Sequence, residues 1–179
     1  MRNIRRALLV SSLLVAVPAV APMLAPTPAQ ALLSATLSGP AFVESVGVLN
    51  MFEIAASELA LKKTSTPEVR AFAEKMIAEH RALQEQVRAA VIEARGEFTV
   101  PSVMDAKHET ALERLNGATG KEFDTLFIQT QTQVHNAALS LFSAFAKDGD
   151  QSALKAFAAQ ALPALNAHLD TLRTLQIKT

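Results

Sequence analysis

After residue 40 the apolar residues recur at steps of three and four almost to the end of the chain, the period of amphipathic helices packed on a common core. The first helix is predicted from Pro40 to about Lys63, with proline in its opening turn. Val46, Leu49, Ala56 and Ala60 share a face with Glu53, while Phe42, Met51, Phe52, Ile54, Ala55 and Leu59 make the rest apolar as well. Such a helix is buried around much of its circumference. A second helix follows a short turn, begun either by Ser65 with Glu68 as a capping box or by Thr66 with Pro67, and it ends near Arg95 at Gly96. Its stripe is Val69, Phe72, Ala73, Met76, His80, Leu83 and Val87. His80 therefore points inward.

Residues 96–118 are too many for a hairpin loop and hold a short helix of their own, capped by Ser102 with Asp105 and ended by Asn116-Gly117. Met104, His108, Ala111 and Leu115 form its stripe. The segment spans roughly 48 Å, against roughly 45 Å for the second helix, so it can run the length of a bundle. The third long helix opens at Thr119, with Glu122 completing a capping box, and continues to about Lys147 on the stripe Phe123, Phe127, Gln131, Val134, Ala138, Leu141 and Phe145; His135 lies on the adjoining face. Asp148-Gly149-Asp150 makes a turn whose Asp150 is expected to cap the fourth helix, which runs to about Ile177 and carries His168. Pro163 inside it should produce a kink. The fold class is all-α: a ferritin-like four-helix bundle at residues 40–179, with a long crossover containing a short helix between helices two and three.

In that topology, heights along the bundle can be compared. His80 lies 15 residues past Ser65 and His135 lies 16 past Thr119, while Glu53 and His168 each sit near a height of 11 residues. The spread is about 7.5 Å. One carboxylate and three imidazoles, one from each helix, can converge as ligands for Zn, Cu, Fe or Mn. The alternative is that each is an isolated polar group satisfied by a carbonyl, a water or a neighbouring side chain. Glu58 is a second carboxylate on a neighbouring face of the first helix. Glu79 points about 100° away from its neighbour His80 and belongs to solvent or to the outside of the site. His108 is expected to be a packed or surface residue.

Residues 1–31 have the form of a signal peptide: Arg2, Arg5 and Arg6, an apolar run from Ala7 to Val17, and a small-residue cleavage signal at Ala29-Gln30-Ala31. Ala19-Val20-Ala21 offers an earlier cut. The apolar run is shorter than the roughly 20 residues of a membrane span. Arg5-Arg6 also fits a twin-arginine signal, which carries proteins out already folded. Residues 32–39 are expected to be irregular. Cleavage after Ala31 gives a soluble periplasmic protein of 148 residues, enough for one domain with its own core. The leader holds three of the 17 basic residues and none of the 17 acidic ones, so the rest of the chain carries three negative charges. Nucleic acid is thus excluded as a partner, since phosphate binding needs clustered Lys and Arg. Neither cysteine nor a Ser-His-acid spacing is present to suggest a nucleophilic enzyme. The residues three before His80, His135 and His168 are Ile77, Thr132 and Leu165, so the Glu-x-x-His motif of di-iron bundles is missing.

Several runs resemble the exported bacterial family defined as domain of unknown function 4142. They are Phe52-Glu53-Ile54-Ala55-Ala56-Ser57-Glu58-Leu59-Ala60, Thr66-Pro67-Glu68-Val69-Arg70-Ala71-Phe72-Ala73, Met76-Ile77-Ala78-Glu79-His80, Val134-His135 and Leu162-Pro163-Ala164-Leu165-Asn166-Ala167-His168. The resemblance covers about residues 40–175. It implies a ferritin-like fold and an outer-membrane or periplasmic location, without a settled activity. The family's patterned Glu and His positions fall on Glu53, His80, His135 and His168; the acidic residue usual before the third of these is Val134 here. Two roles follow. One is a periplasmic metal-binding bundle acting against metal or oxidative stress, and the other is a structural module that docks an envelope protein through an outer face.

Overall fold

The computed structural model describes residues 38–178. The predicted leader lies outside them. Five helices make up the described chain: α1 Gly39–Lys63, α2 Pro67–Ala94, α3 Ala106–Gly117, α4 Gly120–Asp148 and α5 Ser152–Lys178. None of them is long and apolar enough to cross a membrane, and no strand occurs among the described residues. The four long helices form a ring in which α1 packs on α2 and α4, and α5 packs on the same two neighbours. That leaves α1 diagonal to α5, and α2 diagonal to α4.

The crossover is where its length predicts. Thr66, just before α2, donates its hydroxyl to Asp124, near the start of α4, at 2.5 Å, so both helices start at the same end and run parallel. Between them the chain lies along α1. Phe98 meets Gly39, Pro101 lies on Gly47, the His108 ring is 5.3 Å from Phe52, and Lys63 donates to the carbonyls of Asn116 and Ala118. Gly47 is buried in mid-helix because a Cβ there would stand 2.5 Å from the Pro101 ring. Glycine weakens a helix interior, and here it admits the crossing chain.

Local signals were satisfied by different partners than their spacing suggests. Of the two starts for α2, proline in the first turn is the one observed, but Thr66 uses its hydroxyl on α4 and not on its own helix. Thr119 makes no side-chain cap. α3 starts later than expected, with Asp105 itself accepting from the His108 amide at 2.8 Å. The left-handed residue that ends α2 is Arg95 (φ 53°), one before the predicted Gly96. Asp150 does not serve α5. Its carboxylate accepts from the Gly39 amide at 2.8 Å and so closes the start of α1, 111 residues away. α5 runs on through Pro163 as one helix.

The interior falls into two apolar clusters. One gathers Phe52, Phe72, Met76, Phe123, Phe127 and Leu172 at the end where α2 and α4 begin. The other gathers Phe42, Val46, Phe142, Phe145, Leu154 and Phe157 at the opposite end, with Phe42 stacked 4.0 Å from Phe145. Replacing Asp150 by Ala is expected to destabilise the fold by about 1 kcal/mol, the usual value of a lost N-terminal cap. Asp150→Asn, which keeps an acceptor, should recover most of it. Urea denaturation followed by far-UV circular dichroism measures both.

Candidate metal centre

Between the two apolar clusters lies a buried polar layer. Asn50 and Glu53 come from α1, His80 from α2, Gln131 and His135 from α4, and His168 from α5, none more than 6% exposed. Each sits on its helix's inward stripe, so the same periodicity that builds the core delivers them. His80, His135 and His168 each offer a nitrogen within 4.8 Å of the other two. Their ring centroids are 5.1–6.2 Å apart. Three of the four residues selected from sequence therefore meet.

Glu53 stands behind this group. Its carboxyl is 3.6 Å from His135 Nδ1 and makes no hydrogen bond of its own, and it does not share the mutual reach of the three imidazoles. Burial lifts its pKa to about 8, offset in part by the facing Gln131 amide. Glu58 is not buried in the layer; it pairs with Arg81 at 2.9 Å on the surface. His108 packs on Phe52 and hydrogen-bonds Asp105 at 2.7 Å, away from the cluster. Val134 lines both the small cavity beside Glu53 and His135 and the groove between α1 and α4.

The outer nitrogens decide the chemistry of the inner ones. His80 Nδ1 is 2.9 Å from Asn50 Oδ1, and His135 Nδ1 is 2.9 Å from the Gln131 backbone carbonyl oxygen. His168 Nε2 contacts the Glu79 carboxylate. All three partners are oxygen acceptors, so each outer nitrogen carries its proton and donates. The neutral ring then has only a lone pair on its other nitrogen. Those lone pairs are His80 Nε2, His135 Nε2 and His168 Nδ1. The last two face one another at 3.1 Å, and His80 Nε2 has no hydrogen-bond partner. Facing lone pairs repel unless a proton or a cation lies between them. A separation of 3.1 Å suits two ligands of one ion with metal–nitrogen bonds of about 2.0–2.1 Å. The residues present thus fit a metal ion, and the acceptor behind each ring is the arrangement that orients metal-binding histidines.

A second proton is unwelcome at every ring. Burial, reinforced by the other two imidazoles, pushes His80 down to about 3. Burial and the neighbouring His168 push His135 down to about 4, against the opposing effect of the Gln131 carbonyl. His168 is lowered by burial, with Glu79 raising it and Lys75 lowering it. Asn50 and Gln131 were not selected as site residues from sequence. Asn50 carried a signal, since it lies three residues before Glu53 on the same face, where an amide is out of place unless a neighbour uses it; Gln131 serves His135 through its backbone carbonyl, which a residue of any type at that position supplies. Glu79 was expected outside the site, and there it backs His168.

Fold and cluster together define a ferritin-like helical bundle with a histidine site in its core. The chain belongs to the family of the domain of unknown function DUF4142, which matches residues 23–175. Among solved structures, CopM in its Cu(II)-bound form is similar with TM-score 0.66 and 18% identity, covering 79% of this chain and 97% of that one. CopM in its Cu(I)-bound form gives 0.62 and 20%, over 75% and 92% of the two chains. The E. coli stress protein YciF gives 0.51 and 17%, over 76% and 88%. At such identities the likeness establishes the fold. No curated protein matches the chain in sequence.

The metal-free protein is expected to be most stable at about pH 6.5. Below that pH unfolded histidines take up protons that the folded ones refuse until about 4 and 3, so stability falls as pH drops. Glu53 acts in the opposite sense: ionised above 4.5 when unfolded and protonated up to about 8 when folded, it costs stability as pH rises between those values. From 4.5 to 6.5 His80 and His135 outweigh the carboxyl, so stability still rises with pH up to that maximum. Urea midpoints measured from pH 5 to 8 check this, and Glu53→Gln should flatten the alkaline limb and steepen the acid one.

Proposed function

We propose that the protein is exported to the periplasm and holds a transition metal ion, copper before others, on His80, His135 and His168, limiting metal or oxidative stress. The observation that carries this reading is the set of three inward lone pairs, each fixed by an oxygen acceptor behind its ring. Imidazole suits Zn, Cu, Fe and Ni, and among divalent ions copper binds nitrogen donors most tightly. No carboxylate belongs to the group of three, which weakens the case for Mn. The copper-bound and silver-bound forms of CopM, on the same fold, support the choice.

Glu53 supports the site from the far side of His135 and is not assigned a bond to the ion. When bound, the ion supplies a Lewis-acidic or redox-active centre held out of bulk water. The chain's own residues do the rest: Asn50, the Gln131 carbonyl and Glu79 hold the three rings in the binding tautomer, and the flanking phenylalanines exclude solvent. Export rests on the leader's basic, apolar and small-residue segments.

Protein purified without chelators or a histidine tag is expected to carry about one metal ion per chain by mass spectrometry. Concentration has to come from amino-acid analysis, because the chain has no Trp or Tyr. The His80→Ala, His135→Ala double variant should lose the ion, while Glu53→Gln should keep it. Trace metal in all three after incubation with Zn, Cu, Fe and Mn overturns the proposal and favours a structural role for the polar layer.

A further inference from the structure

Two cavities touch the histidine cluster, and they differ in kind. The one that reaches His135, bounded also by Asn50, Glu53 and His80, has a volume of about 20 Å³. That is room for about one water. The other, about 230 Å³, lies between α2 and α5 and has His80 and His168 in its wall. Its α2 side carries Glu79 and the exposed Ala82, and its α5 side carries Ala161 and the exposed Ala164. Small side chains on both helices keep this groove open. On the opposite side of the bundle, α3 packs across α1 and α4, and the groove there includes none of the three histidines.

Glu79 is the one acidic side chain lining the α2–α5 groove. One of its oxygens contacts His168 Nε2, the other is 3.8 Å from Lys75, and the side chain is 44% exposed. It is in touch with solvent and with a ligand ring at once.

Resting on the metal reading above, we propose that the α2–α5 groove is the port by which the ion reaches and leaves the histidines, with Glu79 as the carboxylate that receives it. The groove takes an aquated ion or one carried by a small ligand; it is too narrow for a folded donor to touch the rings. Glu79 draws the cation in by charge while it keeps His168 oriented, so it is a positioning residue at the site and an attracting one at the mouth.

The test is stopped-flow mixing of the metal-free full domain with Cu(II) sulfate, read by the imidazole-to-copper absorption, beside equilibrium titration. In the Ala161→Leu, Ala164→Leu double variant, association and release are both expected to slow by about tenfold with little change in affinity, because a plug raises one barrier seen from both sides. Leu is close to Ala in helix propensity, so the bundle should be kept. Ala137→Leu, in the α1–α4 groove, should bind at the unsubstituted rate. Glu79→Gln, which retains an acceptor for His168, should bind more slowly and with less dependence on salt. Unsubstituted rates in the double variant, with copper bound at equilibrium, overturn the port and leave the site standing. Failure of the unsubstituted protein to bind copper overturns the site and the port together.

Discussion

The constraint on which this structure depends is the burial of a polar layer in the middle of a four-helix core. Leaving one buried polar group without a partner costs roughly 1–3 kcal/mol. Here three imidazoles, an amide, a carboxyl and a glutamine occupy one level, with apolar clusters on both sides. The outer edge of the layer is satisfied: Asn50, the Gln131 carbonyl and Glu79 each take one histidine proton. The inner edge is not, and Glu53 keeps both oxygens unbonded. This open inner edge is the observation on which the proposed ion rests.

Three of those residues meet because each lies near the middle of its helix. His80 and His135 sit on diagonal helices, 6.0 Å apart between ring centroids, and each is about halfway along its own helix, which puts them on one level. An up-down-up-down chain would have reversed α4. The crossover that prevents this lies on α1, admitted by Gly47 and anchored by Lys63. It also covers the α1–α4 side. The bundle is thereby asymmetric, closed over Glu53 and His135 and more open beside His80 and His168.

The donor set separates this bundle from carboxylate-bridged di-iron bundles of similar architecture. With neutral nitrogens as the closest groups and no Glu-x-x-His motif, the site brings little negative charge to an ion. Glu79 contributes its charge through His168 and from the solvent side. Such a centre suits borderline ions better than hard ones.

The sequence by itself determined the helices, their order, the long crossover and the choice of Glu53, His80, His135 and His168 as candidates, because a helical stripe exposes any polar residue placed on it. It also located Glu53 in the buried layer. Only the tertiary structure decided which neighbours use these groups. Glu53 stands behind His135 at 3.6 Å, Asn50 and the Gln131 carbonyl fix two tautomers, and Glu79 reaches across from α2 to a ring on α5. Asp150 and Thr66 show the same division, each spending its side chain on a distant helix and not on its own. Periodicity assigns a residue to a face to within a turn. Hydrogen bonds and metal bonds depend on distances of a few tenths of an ångström between helices, and those are set by how all four pack.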